Sequence, residues 1–186
     1  WAAWLLRIPV VIHDSDAHPG LTNRLLAPMA KRIATGVPLS HYNYPKEKSV
    51  YVGIPIDARY KVVSEDEQKS LKEALSVDPL RPLTVVTGGG QGSKQLNDVV
   101  ALHLNELLEF TNVVLLTGGG AQYDELRSLT PQDDPRFVLK DFLPGLPDVF
   151  GAADVVVSRA GATALLELAA GAKPTIVVPS KRLTWL

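Results

Sequence analysis

Twice in this chain a strand-length apolar run ends in three glycines. Leu83-Thr84-Val85-Val86-Thr87 leads into Gly88-Gly89-Gly90, and Asn112 to Thr117 leads into Gly118-Gly119-Gly120. The two Thr-Gly-Gly-Gly segments lie 30 positions apart, the length of one strand-helix-strand unit. The first passes directly into a helical pattern from Gln95 to Glu109. Strands apolar at every position, alternating with helices, demand a parallel sheet covered on both faces. Ile8-Pro9-Val10-Val11-Ile12, Ser49 to Val52, Asp154 to Val157 and Thr175 to Val178 extend the series. Leu21 to Lys31, interrupted by Pro28, and the Ala/Leu-rich stretch Ala162 to Ala170 read as helices. The fold class expected is α/β.

The pattern breaks at Gly53-Ile54-Pro55-Ile56-Asp57, and Ser64-Glu65-Asp66-Glu67 then offers a capping box for a new helix. Residues 1–53 read as the later part of one α/β domain, 54–63 as a linker and 64–186 as most of a second domain.

Composition removes several classes of function. The 186 residues carry 19 basic and 20 acidic side chains, so no basic block supplies the counterion release that drives nucleic-acid binding. No run of about 18 apolar residues suggests a membrane span, and no cleavable signal peptide is evident. The absence of cysteine excludes a disulfide framework, a thiolate metal site and a thiol nucleophile. Met29 is the sole methionine and residue 1 is a tryptophan, so the chain is expected to start inside its gene.

Three segments can carry chemistry. Gly88-Gly89-Gly90-Gln91-Gly92-Ser93 lies between strand and helix, where glycines let backbone amides approach an anion. The same residues could form only a tight packing turn. The next strand ends in Thr117 and glycines where a dinucleotide fold wants an acid, which argues against NAD. Ser158-Arg159-Ala160-Gly161-Ala162-Thr163 reads as a second strand-to-helix passage, whose helix carries Glu167 as its one charge. That carboxylate either accepts hydrogen bonds from vicinal ligand hydroxyls or faces water. His13-Asp14-Ser15-Asp16-Ala17-His18 closes the first strand. Its side chains alternate in direction and do not converge without a turn, so a loop binding a polar ligand is favoured over a metal site.

Taken in order, these segments resemble one family. Ile8 to Asp16 followed by Pro19-Gly20-Leu21-Thr22-Asn23-Arg24 resembles the "IPVVIHEQN…PGLTN" stretch of MurG-type glycosyltransferases. Gly88 to Asn97 is similar to the family's "GGSQGA…LN", and Ser158 to Ala169 to its "SRSGA…E-AA" helix. The resemblance implies a GT-B arrangement of two Rossmann-like domains. It implies an inverting transfer of N-acetylglucosamine from UDP-N-acetylglucosamine to lipid I, giving lipid II for peptidoglycan, without a bound metal or other cofactor.

By the same resemblance Gly89, Gly90 and Gln91 meet the donor's sugar and diphosphate, and Leu143 sets backbone groups against the uracil. Arg159, Gly161, Ala162, Thr163, Ala164, Leu165 and Leu166 form the diphosphate-facing helix start, and Glu167 binds the ribose. Asp16 stands where the family has a donor-side Asn. Other departures are Asp14 for Glu, Gly90 for Ser, and Asp57 where the family commonly has Arg. The catalytic His is expected on a glycine loop preceding residue 1, with His13 and Asp14 as candidates inside the chain. A Gly-Asp-x-Gln sugar-binding segment is expected after Pro179, where this chain reads Ser180 to Leu186. The chain is thus expected to be the middle of a longer enzyme. Trp4 matches a position near the family's membrane-facing patch or is a buried helix tryptophan. The implied location is the cytoplasmic face of a bacterial plasma membrane. Gly53-Ile54-Pro55-Ile56-Asp57 also resembles diacylglycerol glycosyltransferases, which leaves a glycolipid acceptor as the alternative. A non-catalytic nucleotide-sugar-binding module is a further one.

Overall fold

The computed structural model describes residues 2–180; Trp1 and residues 181–186, including most of the segment after Pro179, lie outside them. The chain divides into two compact units, residues 1–56 and 57–186, with the division inside the stretch read as a linker.

The first unit contains α1 (Ala2–Leu5), β1 (Val11–Asp14), α2 (Leu21–Leu26), β2 (Arg32–Thr35) and β3 (Ser49–Tyr51). Its three strands are parallel in the order β1-β2-β3. The first strand begins later than the apolar run suggested, because Pro9 has no N–H to give to a ladder. Helix α2 stops at Leu26, and Ala27–Met29 tighten into a 3₁₀ turn around Pro28. Ile12, Ala27, Ala30 and Ile33 form a small core.

The second unit contains α3 (Glu65–Ala74), β4 (Leu83–Thr87), α4 (Lys94–Leu102), α5 (Leu104–Phe110), β5 (Asn112–Leu116) and α6 (Ala121–Leu129). It continues with β6 (Phe137–Lys140), α7 (Leu146–Ala152), β7 (Val155–Arg159), α8 (Ala162–Ala170) and β8 (Thr175–Val178). Its five strands are all parallel, in the order β6-β5-β4-β7-β8. From β4 the chain steps outward through β5 to β6, then returns to the other side of β4 for β7 and β8. This is a doubly wound sheet whose direction reverses between β4 and β7.

Side-chain alternation along these strands builds two cores. Leu83, Val85, Val114, Leu116 and Val156 pack on one face with Val149 and Phe150 of α7 and Leu168 of α8. Val86, Val113, Leu115 and Leu139 pack on the other with Leu96, Val100, Leu104, Leu108 and Leu126. Helix α3 opens as its sequence suggested: the Ser64 hydroxyl accepts the Glu67 amide at 3.2 Å.

One more helical reading needs correction. The pattern from Gln95 to Glu109 is two helices, broken at His103 with φ −105° and ψ 13°. Val100, Leu104 and Leu108 recur every fourth residue, which drifts around a straight helix, and the break returns the apolar stripe to the sheet. Ser158 and Arg159 belong to β7, and the helix after them spans Ala162–Ala170, the bounds of the Ala/Leu-rich stretch.

Candidate functional site

Open α/β sheets bind ligands beyond the carboxyl ends of the strands where the winding reverses. In the second unit that place lies between β4 and β7, whose ends pair at Thr87 and Ser158. The loops leaving these strands are Gly88–Ser93 and Ala160–Gly161. Sequence reasoning pointed to both, and one edge of one sheet brings them together.

The glycines of the first loop divide into two kinds. A Cβ on Gly88 would collide with the Ser93 amide, and one on Gly92 with the carbonyl of Thr117. Around Gly89 and Gly90, by contrast, nothing would meet a Cβ within 4 Å, and both residues are exposed with Gln91. The turn is closed by the Gly92 amide donating to the Gly89 carbonyl at 2.9 Å, and by the Gly89 amide donating to the Thr87 hydroxyl at 3.1 Å. Gly88 and Gly92 therefore shape the loop, while Gly89 to Gln91 are presented to solvent.

The second glycine segment supports the first. Gly118, at φ +81°, lies backbone to backbone against Gly92. Asn97, 1% exposed on α4, donates to the Thr117 carbonyl at 3.2 Å and to the Gln122 side chain at 2.5 Å. The Gly118 amide in turn donates to the Asp141 carbonyl at 3.0 Å. This tie sets the segment containing Leu143 in the same row of loops. The Leu143 side chain packs on the core and borders a 400 Å³ hollow along β6, which Tyr123, Arg127 and Lys140 also line.

Helix α8 starts at the switch point with Gly161 as its N-cap and no side-chain cap. The amides of Ala162, Thr163 and Ala164 thus lack intrahelical acceptors, and the helix dipole adds to their pull on an anion. Gly161, Thr163 and Leu166 are exposed; Arg159, Ala162, Ala164 and Leu165 are half-buried. Glu167 is half-buried. Burial raises its pKa, the Tyr60 hydroxyl opposes that, and the nearby Asp57 charge raises it again, for a net upward shift. Tyr60 is itself pushed up to about 12 by burial and by the Glu167 charge. Nothing in the sequence singled out Tyr60, because it sits in a stretch without periodic pattern. Asp57, at the position where Arg was expected, is held by Arg59 through two side-chain contacts of 2.7 and 3.0 Å.

In the first unit, His13 and Asp14 are both engaged internally. His13 Nε2 lies 2.9 Å from the Gly53 carbonyl. Asp14 is 1% exposed, and its Oδ2 accepts from the Tyr44 hydroxyl at 2.6 Å and the Gly20 amide at 3.2 Å. Burial and the Asp14 hydrogen bond push the Tyr44 pKa well above its usual value. The Asp16 side chain is exposed, and its carbonyl accepts the Tyr42 hydroxyl at 2.5 Å. Among the described residues, no group of three or more His, Asp or Glu side chains is placed to share a metal ion. Trp4 is 51% exposed. No helix among the described residues is long and apolar enough to cross a membrane.

Comparison with known proteins places this architecture. The chain is 34% identical over 176 residues to a Bacillus anthracis protein, covering 95% of this chain and 48% of the relative. That relative is named UDP-N-acetylglucosamine--N-acetylmuramyl-(pentapeptide) pyrophosphoryl-undecaprenol N-acetylglucosamine transferase 2. A Geobacillus thermodenitrificans transferase of the same kind is 34% identical over 177 residues, with 95% and 48% covered. The chain spans about half the length of the curated relatives it matches. Among solved structures, Acinetobacter baumannii MurG superposes with a TM-score of 0.63 at 27% identity, covering 98% of this chain and 49% of that one. The Anabaena protein HepE, in complex with UDP and glucose, shares the fold at a TM-score of 0.61 and 18% identity, with 95% and 54% covered. Residues 83–184, more than half of the chain, match the glycosyltransferase family 28 C-terminal domain, and the chain belongs to that family.

Proposed function

We propose that this chain supplies the nucleotide-sugar-binding part of an inverting N-acetylglucosamine transferase acting on lipid I. The observation that carries the reading is the meeting of two anion-competent elements at one switch point. The open amides of Gly90 and Gln91 and the uncapped start of α8 leave the same sheet edge, and Glu167 lies farther along α8. A diphosphate suits the amides, and a vicinal diol suits the carboxylate. The names of the relatives support UDP-N-acetylglucosamine as the donor and the undecaprenyl-linked muramyl pentapeptide as the acceptor.

In this reading the acceptor hydroxyl displaces UDP from the anomeric carbon, with inversion. The leaving diphosphate gains charge as its bond to the sugar breaks. Backbone amides already oriented in the loop and the helix start stabilise that charge without reorganising. No step calls for a bound metal or other cofactor. Neither His13 nor Asp14 is assigned as the base, because the His13 ring is engaged by the Gly53 carbonyl and the Asp14 carboxylate by the Gly20 amide and the Tyr44 hydroxyl. Leu143 is assigned to the uracil through backbone groups, and Arg159 to the rim of the diphosphate site. Contact with lipid I places the enzyme at the cytoplasmic face of the plasma membrane, with Trp4 among the membrane-facing residues.

The full-length protein tests this directly. It is expected to bind UDP by calorimetry, and Glu167→Ala is expected to weaken binding by about 1–3 kcal/mol. Transfer to lipid I but not to diacylglycerol is expected in an acceptor assay. Unchanged affinity in the variant overturns the site, and transfer to diacylglycerol alone overturns the acceptor.

A further inference from the structure

We propose that the free edge of β6 is a docking site for an extended acidic peptide segment of another protein, which joins the sheet of the second unit as an added strand. The site stands apart from the switch point, and its occupant is independent of the nucleotide sugar.

The hollow along β6 is lined by every residue of the strand, Phe137, Val138, Leu139 and Lys140. Successive side chains of a strand point to opposite faces, and here Phe137 and Leu139 join one core while Val138 packs on the other. A space that meets all of them lies at the edge of the strand, not over one face. β6 ends the strand order β6-β5-β4-β7-β8, so β5 fills its other side. Ala74, Leu75 and Ser76 at the end of α3 wall the slot from one layer, and Tyr123 and Arg127 of α6 wall it from the other. A slot between two layers, along a strand, has the shape of one more strand.

The backbone is set to receive it. The Val113 amide donates to the Arg136 carbonyl at 2.8 Å and the Thr117 amide to the Lys140 carbonyl at 2.9 Å, so the even-numbered residues turn toward β5. Leu139 therefore turns its N–H and C=O to the free side. The Phe137 amide is taken by the Asp134 carbonyl at 3.0 Å, which leaves the Phe137 carbonyl open. One amide and two carbonyls thus face the slot, a set that one carbonyl and two amides of an added strand satisfy.

Charge decides the partner. Arg127 and Lys140 are the charged residues lining the slot, and among the described residues no carboxylate lines it. Both are exposed, and neither side chain is held by an ion pair or a hydrogen bond within the described residues. An open edge is a template for pairing, and a second copy of this one would bring the same cations against themselves. An acidic strand meets both cations favourably. Leu75, Val138 and Leu143 give the slot apolar walls, which suits a segment in which acidic and apolar residues alternate.

Fluorescence anisotropy on the full-length protein tests the proposal with labelled short peptides. One alternates Glu and Val, one alternates Lys and Val, and one is the acidic peptide N-methylated at every residue. The acidic peptide is expected to bind about 10-fold or more tightly than the basic one. Its N-methylated copy, which has no amide to donate, is expected to bind about 10-fold more weakly than the parent. The double variant Arg127→Glu with Lys140→Glu is expected to reverse the preference, a gain that a misfolded protein would not show. Failure of the acidic peptide to bind, equal binding of both charges, or a preference that the double variant leaves unchanged overturns the proposal. Undiminished binding of the N-methylated copy overturns it too, as a contact of charge without an added strand. A wild-type dimer in sedimentation that the acidic peptide does not dissociate, but the double variant does, assigns the edge to a second copy and overturns it as well.

Discussion

Gly92 and Gly118 touch through their backbones, at φ +71° and +81°, so that neither position has room for a Cβ. This contact joins the loop after β4 to the loop after β5 and sets the height at which Gly89 and Gly90 stand above the sheet. Gly92→Ala or Gly118→Ala must both adopt a left-handed backbone and push the partner loop away. Each is expected to cost about 2–5 kcal/mol in urea denaturation. Gly90→Ala, in open space at an ordinary φ, is expected to stay within about 0.5 kcal/mol and to act on UDP affinity alone. Equal destabilisation at positions 90 and 92 would contradict the division of the loop into shaping and presenting residues.

The Lys72–Asp154 pair ties α3 to the segment before β7. Lys72 is 5% exposed, and its ammonium reaches Asp154 at 2.7 Å and the Arg81 carbonyl at 2.9 Å. Burial raises the Asp154 pKa, but Lys72, the Leu83 amide and Gln68 outweigh it, and the net shift is downward. A carboxyl whose folded pKa is depressed contributes stability that is present above its ordinary value near 3.8 and lost as pH falls through the folded one. Lys72→Met is expected to cost about 2–3 kcal/mol at neutral pH, discounted because the Asp154 side chain is 38% exposed. The acid-side slope of stability against pH is expected to flatten in that variant, which denaturation at pH 3 to 7 would measure.

How much of this was legible beforehand differs by element. β4 and β5 announced themselves because a doubly covered strand is apolar throughout; β8 has the same apolar run but lies largely exposed at the sheet edge. β2, reading Arg32-Ile33-Ala34-Thr35, and β6, reading Phe137-Val138-Leu139-Lys140, did not. They are short, end in polar or charged residues, and exist through ladders with distant strands that no local pattern records. The two site loops were legible as types, glycine turn and uncapped helix start. Which glycines pack and which stand open was not, since Gly88 and Gly90 differ only in what another loop or turn brings near them.

Asp14 shows how a candidate catalytic group can be a strut. Its carboxylate holds the Gly20 amide at the start of α2 and the Tyr44 hydroxyl, while the Tyr44 ring stacks on Tyr42 at 5.4 Å. Removing the acceptor would leave a half-buried amide and a half-buried phenol without it. Asp14→Ala is therefore expected to cost about 2–4 kcal/mol, and Tyr44→Phe about 1–2 kcal/mol, in urea denaturation. Asp14→Asn keeps one acceptor oxygen and should retain most of the stability. A large loss of turnover in a fully stable Asp14→Asn enzyme would instead return Asp14 to the chemistry.

The raised pKa of Glu167 makes the nucleotide site sensitive to pH. Burial lifts the group above its ordinary value of 4.5, and the Asp57 charge adds to the lift against the Tyr60 hydroxyl. The folded state then holds its proton to higher pH than the unfolded one. The group contributes nothing to stability below its ordinary value and opposes folding as pH rises through the folded pKa. Binding runs the other way. Only the ionised carboxylate accepts hydrogen bonds from both ribose hydroxyls, so UDP affinity is expected to rise as pH climbs through the folded value and then to level off. Glu167→Gln, neutral at every pH, is expected to bind more weakly and to lose that rise. Tyr60→Phe, which removes that hydroxyl, is expected to move the rise to higher pH. Calorimetric titration of UDP between pH 4 and 8 reads all three. A wild-type profile flat across that range would show that Glu167 does not bind the nucleotide as an anion.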